Sequence, residues 1–397
     1  MNKKKFAIQL NTILASLLLM SRLIIIIFYS GYDFYYITPV LYSLIASLFI
    51  IVTLLNKKIS KYSCILLMIV STYYFVGILN GVTDLSILDI IIYCFIPVFA
   101  MSKEINTKML LRIIMFFSLL SIPVIEKLFV FQYISLQQVD MSVTYAFLFC
   151  IISACLHFIY FRSSKNILDY ICYIFNVYLL IKILSVGNRG AYLVIVVFIL
   201  LMQILYIKNK EIKKNKRRMV WLLLLIESVF LIYFALNIDT IILNLFDILS
   251  KNGINVPSFI IKMRRQIIGN DISNGRNDVY SFFINSILVN PIGYGISSSN
   301  AISNGLYAYP HNFILQFSFE FGLIGIFFSF FVVYPIYLLI KKQNMIEKNF
   351  KILIVFLLIN TVPKCLISGD IWEQSQLWMM LSIGIMLFKK KERIYDK

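Results

Sequence analysis

The sequence predicts an all-α membrane protein: a polytopic bundle of about twelve transmembrane helices with one large folded loop on its outer side. Three observations carry that prediction. The chain of 397 residues is 60% apolar and only 14% charged, too little charge to solvate a globular surface. Its apolar residues gather into runs of roughly 17–25, the length that crosses the hydrocarbon core of a bilayer. Its lysines and arginines, which give a formal net charge of +18, are segregated along the chain rather than spread.

Taken in order, the runs lie near 7–29, 36–55, 62–80, 85–101, 109–125, 143–161, 167–185, 190–207, 220–238, 312–340, 352–368 and 374–388. The first follows Lys3, Lys4 and Lys5 in the manner of a signal peptide. It lacks a small-x-small cleavage site and leads straight into further spans, so a retained helix is expected. With the N-terminus inside and the chain alternating, segments 56–61, 102–108, 161–166, 208–219, 341–351 and 389–397 fall on the inner side. Together with the N-terminus they hold most of the 37 basic residues. This is the positive-inside pattern, with both termini cytoplasmic. The basic charge therefore reports topology and gives no reason to expect a nucleic-acid partner.

The six cysteines (64, 94, 150, 155, 172 and 365) lie in or at the ends of apolar runs, and none forms a C-x-x-C pair. They read as small packing residues, with no disulfide framework or thiolate metal site implied.

Three regions follow: spans one to nine over 1–238, an outer loop over 239–311, and the last three spans with a cytoplasmic tail over 312–397. The loop is too long and too apolar to be a passive connection. Stretches such as TIILNLFDIL and VYSFFINSILV are broken by turn signals at Asn252-Gly253, Asn274-Gly275 and Asn304-Gly305,. Within it, RNDVYSFFINSILVN (276–290) places Val279, Phe283 and Ile287 on one face and predicts a short amphipathic helix. The loop is expected to be a folded cap on the outer membrane face.

Ionisable groups within spans are costly and usually face a cavity or a partner. Arg22, Lys182 and Lys364 fall in outer halves of spans, Arg189 and His311 at outer boundaries, Glu320 slightly deeper, and Arg276 at the head of the cap helix. Cations placed there run against the positive-inside pattern and suggest an anion site, with phosphate or diphosphate favoured by the guanidinium fork. Arg22, Lys182 and Lys364 would equally snorkel to headgroups, and Arg264 and Arg265 would equally bind anionic lipid. Arg112 and Asp169 are expected to snorkel at the inner interface. His157, in mid-span, is expected to be an interhelical hydrogen bonder.

Three elements then appear in order: GNRGAYLVIVV (187–197), GRNDVYSFFINSILVNPIGYG (275–295) and HNFILQFSFEFGLIG (311–325). Together they resemble the O-antigen polymerase and O-antigen ligase superfamily, membrane glycosyltransferases that use lipid-linked sugars. Asn188 stands where that family usually has serine, so Arg189, Gly190 and Ala191 carry the first motif. Tyr280 stands where tryptophan is commoner. Physically, Gly293 and Gly295 allow tight turns close to a substrate. Gly322 and Gly325 would let a neighbouring helix approach. Glu320 could pair with a buried cation such as Arg189 or Lys182.

The resemblance implies a glycan carried on undecaprenyl diphosphate, joined to a second sugar at the outer face of the bacterial cytoplasmic membrane. In that reading Arg189 and Arg276 hold the diphosphate and His311 is the base, these three being the catalytic set. Arg264, Arg265, Asn312, Glu320, Gly293, Gly295, Tyr280 and Lys182 would bind or orient substrate. The sequence contains no metal-ligand motif on the outer side, so no metal and no cofactor is expected. Expected partners are the lipid-linked oligosaccharide, membrane lipid and a chain-length regulator. Total length, a modest outer loop and the lack of an appended soluble domain favour a polymerase over a ligase that hands the finished glycan to a lipid or protein. A lipid-linked oligosaccharide flippase is the rival from another class, but no repeat symmetry between halves is visible.

Overall fold

The computed structural model describes residues 3–56, 61–82, 87–129, 141–162, 166–186, 189–209, 213–254, 256, 258–269, 275–341 and 346–395. Among them the chain is an all-α bundle. Ten helices are long and apolar enough to cross a membrane, and two shorter apolar helices accompany them. In chain order they are α1 (Lys3–Ile26), α2 (Ile37–Asn56), α3 (Lys61–Leu79), α4 (Ile87–Met101), α5 (Thr107–Phe129), α6 (Met141–Phe161), α7 (Ile167–Val186), α8 (Arg189–Lys208) and α9 (Lys214–Leu236). After them come α10 (Ile238–Lys251), α11 (Ser258–Ile268), α12 (Arg276–Val289), α13 (Phe313–Phe321), α14 (Leu323–Lys341), α15 (Lys348–Ile367) and α16 (Ser375–Tyr395).

The predicted run 312–340 is two helices rather than one. Gly322 takes a φ of 59° between α13 and α14, a conformation cheap only for glycine. A Cβ there would lie 2.2 Å from the Pro291 carbonyl oxygen. The helix breaks because the 291–292 backbone occupies the space beside it. Gly325 serves the same corner, since a Cβ on it would lie 1.8 Å from the Phe317 carbonyl. The helix it admits is therefore α13 of its own hairpin. In α4 the turn before Pro97 widens into a π-helical stretch, Ile91–Phe95; proline has no N–H to give the carbonyl four residues back, and the chain adjusts there.

α1, α6, α15 and α16 form the buried centre, with Leu14, Leu18, Phe147, Phe356 and Trp378 among its fully enclosed side chains. α9 lies at the periphery with no buried residue, and its Trp221, Leu222, Ile226 and Phe230 point outward. Apolar side chains on that face are what a lipid-facing helix presents. The chain is an integral membrane protein.

Polar contacts mark two ends. At one end Lys4 pairs with Glu104 (3.0 Å), Thr107 Oγ1 donates to the Asn349 carbonyl, Lys208 Nζ to the Ile340 carbonyl, and Lys389 sits over the Tyr62 ring. Basic segments from distant parts of the chain thus meet there. Arg112 and Asp169 pair at 2.9 Å, Asp169 buried and the Arg112 side chain 39% exposed. His157 meets Tyr173 of α7 at 2.8 Å, so it does bridge two helices.

Candidate active site

The far end of the bundle is built by a loop that needs its glycines. Between α12 and α13, Gly293 and Gly295 have φ values of 101° and 86°. Tyr294 N–H donates to the Phe319 carbonyl and Gly295 N–H to the Glu320 carbonyl, both at 2.9 Å, and Ile296 N–H to the Tyr73 carbonyl at 3.0 Å. A Cβ on Gly293 would stand 2.5 Å from Gly322 N, and one on Gly295 2.1 Å from Gly77 N. The close approach is to the protein's own α3 and α13, where the sequence reading had expected substrate. These glycines shape the floor of the site.

His311 follows at the end of the same loop. Its φ of 57° lies in the left-handed region, where non-glycine residues are uncommon. The next residue locks it there. Asn312 caps α13, its side-chain oxygen accepting from Ile314 N–H (2.9 Å) and Leu315 N–H (3.3 Å), while its amide nitrogen donates to the Leu366 carbonyl at the end of α15. On the other side the Tyr309 ring meets the imidazole edge-on, centroids 4.3 Å apart. Asn312 is therefore a positioning residue for His311.

Burial lowers the His311 pKa, and the positive charge of Arg276 lowers it further. Arg276 opens α12 immediately after Gly275, which has a φ of 74°. Its charge also acts on Tyr309 and on Tyr145 of α6. Burial pushes the Tyr309 phenol up, Asp370 and Glu373 push the same way, and Arg22 and Arg276 oppose them. Tyr309 thus sits amid two carboxylates and two guanidiniums, with His311 against its ring.

The two carboxylates come from the turn between α15 and α16. Gln316 of α13 organises it: its amide nitrogen donates to Glu320 Oε1 (3.0 Å) and Asp370 Oδ1 (2.7 Å), and its oxygen accepts from Ile371 N–H (3.2 Å). Trp372 Nε1 donates to Glu320 Oε2 at 2.7 Å, and Trp372 N–H to Asp370 Oδ1 at 3.1 Å. Glu320 is fully buried and takes amide and indole donors where a cation had been expected. Lys182, one of the two cations proposed for it, instead meets Glu126 at 2.9 Å. Burial pushes the Asp370 carboxyl up to about 6. Glu373 pairs with Arg22 of α1.

The other predicted residues divide. The side chain of Arg189 lies outside the described residues, but its neighbour Gly190 is pressed on Tyr145: a Cβ there would lie 1.7 Å from the phenol oxygen. The start of α8 therefore packs directly on Tyr145. Tyr280 lies half-buried on α12. Phe283 of that helix packs on Phe319 at 4.8 Å, while Ile284, Leu288 and Val289 remain exposed, so the helix is apolar on a second face as well. Arg264 stacks over Phe246, 4.2 Å from the ring centroid, in a hairpin of α10 and α11 with its own small core around Ile242, Ile260 and Met263. Arg265 is exposed at the end of that hairpin. Among the described residues no hydrogen bond, ion pair or ring contact joins this pair to the His311 cluster.

Sequence reasoning missed Tyr145, Gln316, Asp370 and Glu373. The run SGDIWEQSQ (368–376) did hold a signal: two acids and four amides or hydroxyls gathered between two confident spans.

Fold and site together define an integral membrane protein with a polar, histidine-bearing centre at one end of a helical bundle. Residues 174–330 match the family model described as O-antigen ligase, and all three sequence motifs fall inside that interval. A Rickettsia conorii protein named "Putative polysaccharide ligase" is 30% identical over 128 residues, covering 28% of this chain and 31% of its own. A Rickettsia prowazekii protein of the same name is 30% identical over 127 residues, covering 28% and 30%. The chain thus aligns with somewhat less than a third of the length of each of these relatives. Motifs, family match and relatives point to one likeness: residues 174–330 of the chain are similar to the O-antigen ligase family.

Proposed function

We propose that this protein is a membrane glycosyltransferase of surface-polysaccharide assembly. It moves a glycan from a polyprenyl diphosphate to a sugar hydroxyl at the outer face of the bacterial cytoplasmic membrane. One observation carries the reading: His311 is held by its own backbone, by Tyr309 and by the capped start of α13 within the electrostatic reach of Arg276.

The chemistry suits those groups. Nε2 or Nδ1 of a neutral His311 takes the proton of the acceptor hydroxyl as its oxygen bonds to the anomeric carbon. The bond from that carbon to the diphosphate oxygen breaks with its electron pair, and Arg276, with Arg189 at the head of α8, stabilises the departing diphosphate. One direct displacement inverts the anomeric centre. Depression of the His311 pKa keeps the imidazole neutral, the form a base needs. Asn312, Gln316 and Glu320 hold the loops that carry the reacting groups.

The acceptor decides between two readings. Another lipid-linked repeat unit makes the protein a polymerase, which the modest outer loop favours. A lipid or protein acceptor makes it a ligase, which the family description and both relatives' names favour. Purified protein in nanodiscs with the host's lipid-linked repeat unit tests both. A product ladder that persists in chelator supports the polymerase. Transfer that awaits an added surface acceptor supports the ligase. Donor crossing a bilayer with no glycosidic product overturns both.

A further inference from the structure

We propose that the turn joining α1 to α2 is a carbohydrate-binding platform for the glycan being transferred, beyond the sugar that reacts. The word "transferred" rests on the transferase reading above; the binding of sugar does not.

Six of the nine residues from Phe28 to Tyr36 are aromatic, in a chain where 16% are. α1 starts at the basic end of the bundle, with Lys4, and this turn closes its far end. The turn is firmly built. Phe34 N–H donates to the Phe28 carbonyl at 2.9 Å, and Asp33 takes a φ of 54° beside it. Gly31 fits against α5, where a Cβ would lie 2.7 Å from the Val124 side chain. Lys127 of α5 holds both oxygens of the Asp33 carboxylate, at 3.2 and 3.3 Å, and the Tyr32 hydroxyl donates to the Leu120 carbonyl at 3.4 Å. The rings are nevertheless left uncovered. Tyr29 stands edge-on to Tyr35, centroids 5.1 Å apart, and Tyr35 and Tyr36 are 64% and 73% exposed.

What covers the rings follows from the ion pair among them. The Asp33 and Lys127 side chains are 67% and 43% exposed, so the turn stands in water and an acyl chain is a poor occupant. Apolar surface gathered in water marks a binding site. Tyrosine joins an apolar face to a hydroxyl, and a pyranose presents the complement: a C–H face that stacks and a rim of hydroxyls that donate and accept. The position suits a long glycan. Tyr29 lies roughly 10 Å beyond Arg22 along α1. Arg22 pairs with Glu373, and the charges of both act on Tyr309, whose ring meets His311. A growing chain handed to a new repeat unit and a finished chain handed to a surface acceptor are both the donor's. The sugars that reach this turn are therefore the donor's under either reading of the acceptor.

The test uses the full chain in nanodiscs. The probe is the water-soluble oligosaccharide, several repeats long, released by mild acid from the host's lipid-linked glycan, and binding is followed by saturation-transfer NMR. Saturable binding to the wild type is expected. Tyr35→Ala and Tyr36→Ala should each weaken it about fivefold, the worth of one stacked ring. Tyr35→Phe, which keeps the ring, should bind nearly as the wild type does. Tyr35→Leu, which keeps an apolar anchor for the bilayer but no ring, should bind as weakly as the alanine variant. No saturable binding at millimolar concentration, or equal binding by the wild-type, leucine and alanine proteins, would overturn the platform and make the rings an interfacial belt only. In turnover, Tyr35→Ala should raise KM for a donor of several repeats about fivefold more than KM for a donor of one, and an equal rise for both would also overturn it. Sugar binding that the alanine variants lose, with no product from any donor, would sink the transferase reading and leave the platform standing.

Discussion

His311 combines features that rarely coincide in one residue: left-handed backbone, partial burial, an aromatic neighbour and a nearby guanidinium. Left-handed backbone at a non-glycine residue costs roughly 1 kcal/mol and persists where its surroundings over-determine it. Here Asn312 and Tyr309 do so. Because both burial and Arg276 lower the His311 pKa, the acid limb of the turnover–pH profile should lie below about 6.5, the value for an unperturbed imidazole. Arg276→Gln removes one of the two causes. Among the residual activity of that variant the acid limb should move to higher pH, and an unmoved limb would separate Arg276 from His311. Asp370 makes a second prediction. Burial raises its folded pKa from the ordinary 3.8 to about 6, so its contribution to stability is complete below the lower value and is lost as pH rises through the upper one. The ionised form should cost on the order of 2–3 kcal/mol. Asp370→Asn keeps an oxygen for Gln316 and Trp372, and should flatten the fall in melting temperature between about pH 4 and 6. His311 and Arg276 were legible in the sequence because a charge on the apolar outer side stands out. Asp370 and Gln316 were not, because an amide that satisfies two carboxyl groups leaves no pattern of opposite charges to find.

At the scale of elements, the helices follow from the length and composition of their apolar runs: among the described residues eleven of the twelve runs became one apolar helix each, and 312–340 became two. The break at Gly322 was hidden, since an apolar run records length and composition but not which backbone packs against it. The glycines of the 291–295 loop were found, and the neighbours the structure gives them are the backbones of α3 and α13. Sequence spacing says that a backbone approaches closely, without saying to what. Gly295→Ala tests the corrected reading: the new methyl would meet Gly77 N at 2.1 Å at a positive φ. The variant should lose several degrees of melting temperature, the expected result of backbone strain of roughly 1–3 kcal/mol. Its loss of turnover should track the loss of folded protein, with no change in acceptor or donor KM for the fraction that remains folded. A KM effect at unchanged melting temperature would return Gly295 to the substrate.

For the whole molecule, the gathering of basic segments at one end and of His311, Arg276 and the carboxylate turn at the other predicts sidedness through the positive-inside rule. Asn304 is exposed on the loop at the His311 end, and Lys103 lies near the basic end. In a background freed of Cys64, Asn304→Cys should react with a membrane-impermeant maleimide added to intact cells, and Lys103→Cys should react after lysis alone. The reverse pattern would place the site in the cytoplasm. The spanning helices were legible from composition because the bilayer limits a spanning chain to closed hydrogen-bonded elements. The acceptor was not legible, because the shape that would select it is assembled from residues distant in the sequence.

The central claim is that His311 takes a proton during glycosyl transfer, and a single-turnover experiment tests it most directly. Purified wild type and His311→Ala would be loaded with lipid-linked donor, their donor affinity measured, and acceptor added with and without chelator. The account predicts equal donor affinity, chelator-insensitive product from the wild type, and a loss of at least about a hundredfold in the variant, the scale of a general base. Product formation by His311→Ala at the wild-type rate would contradict it.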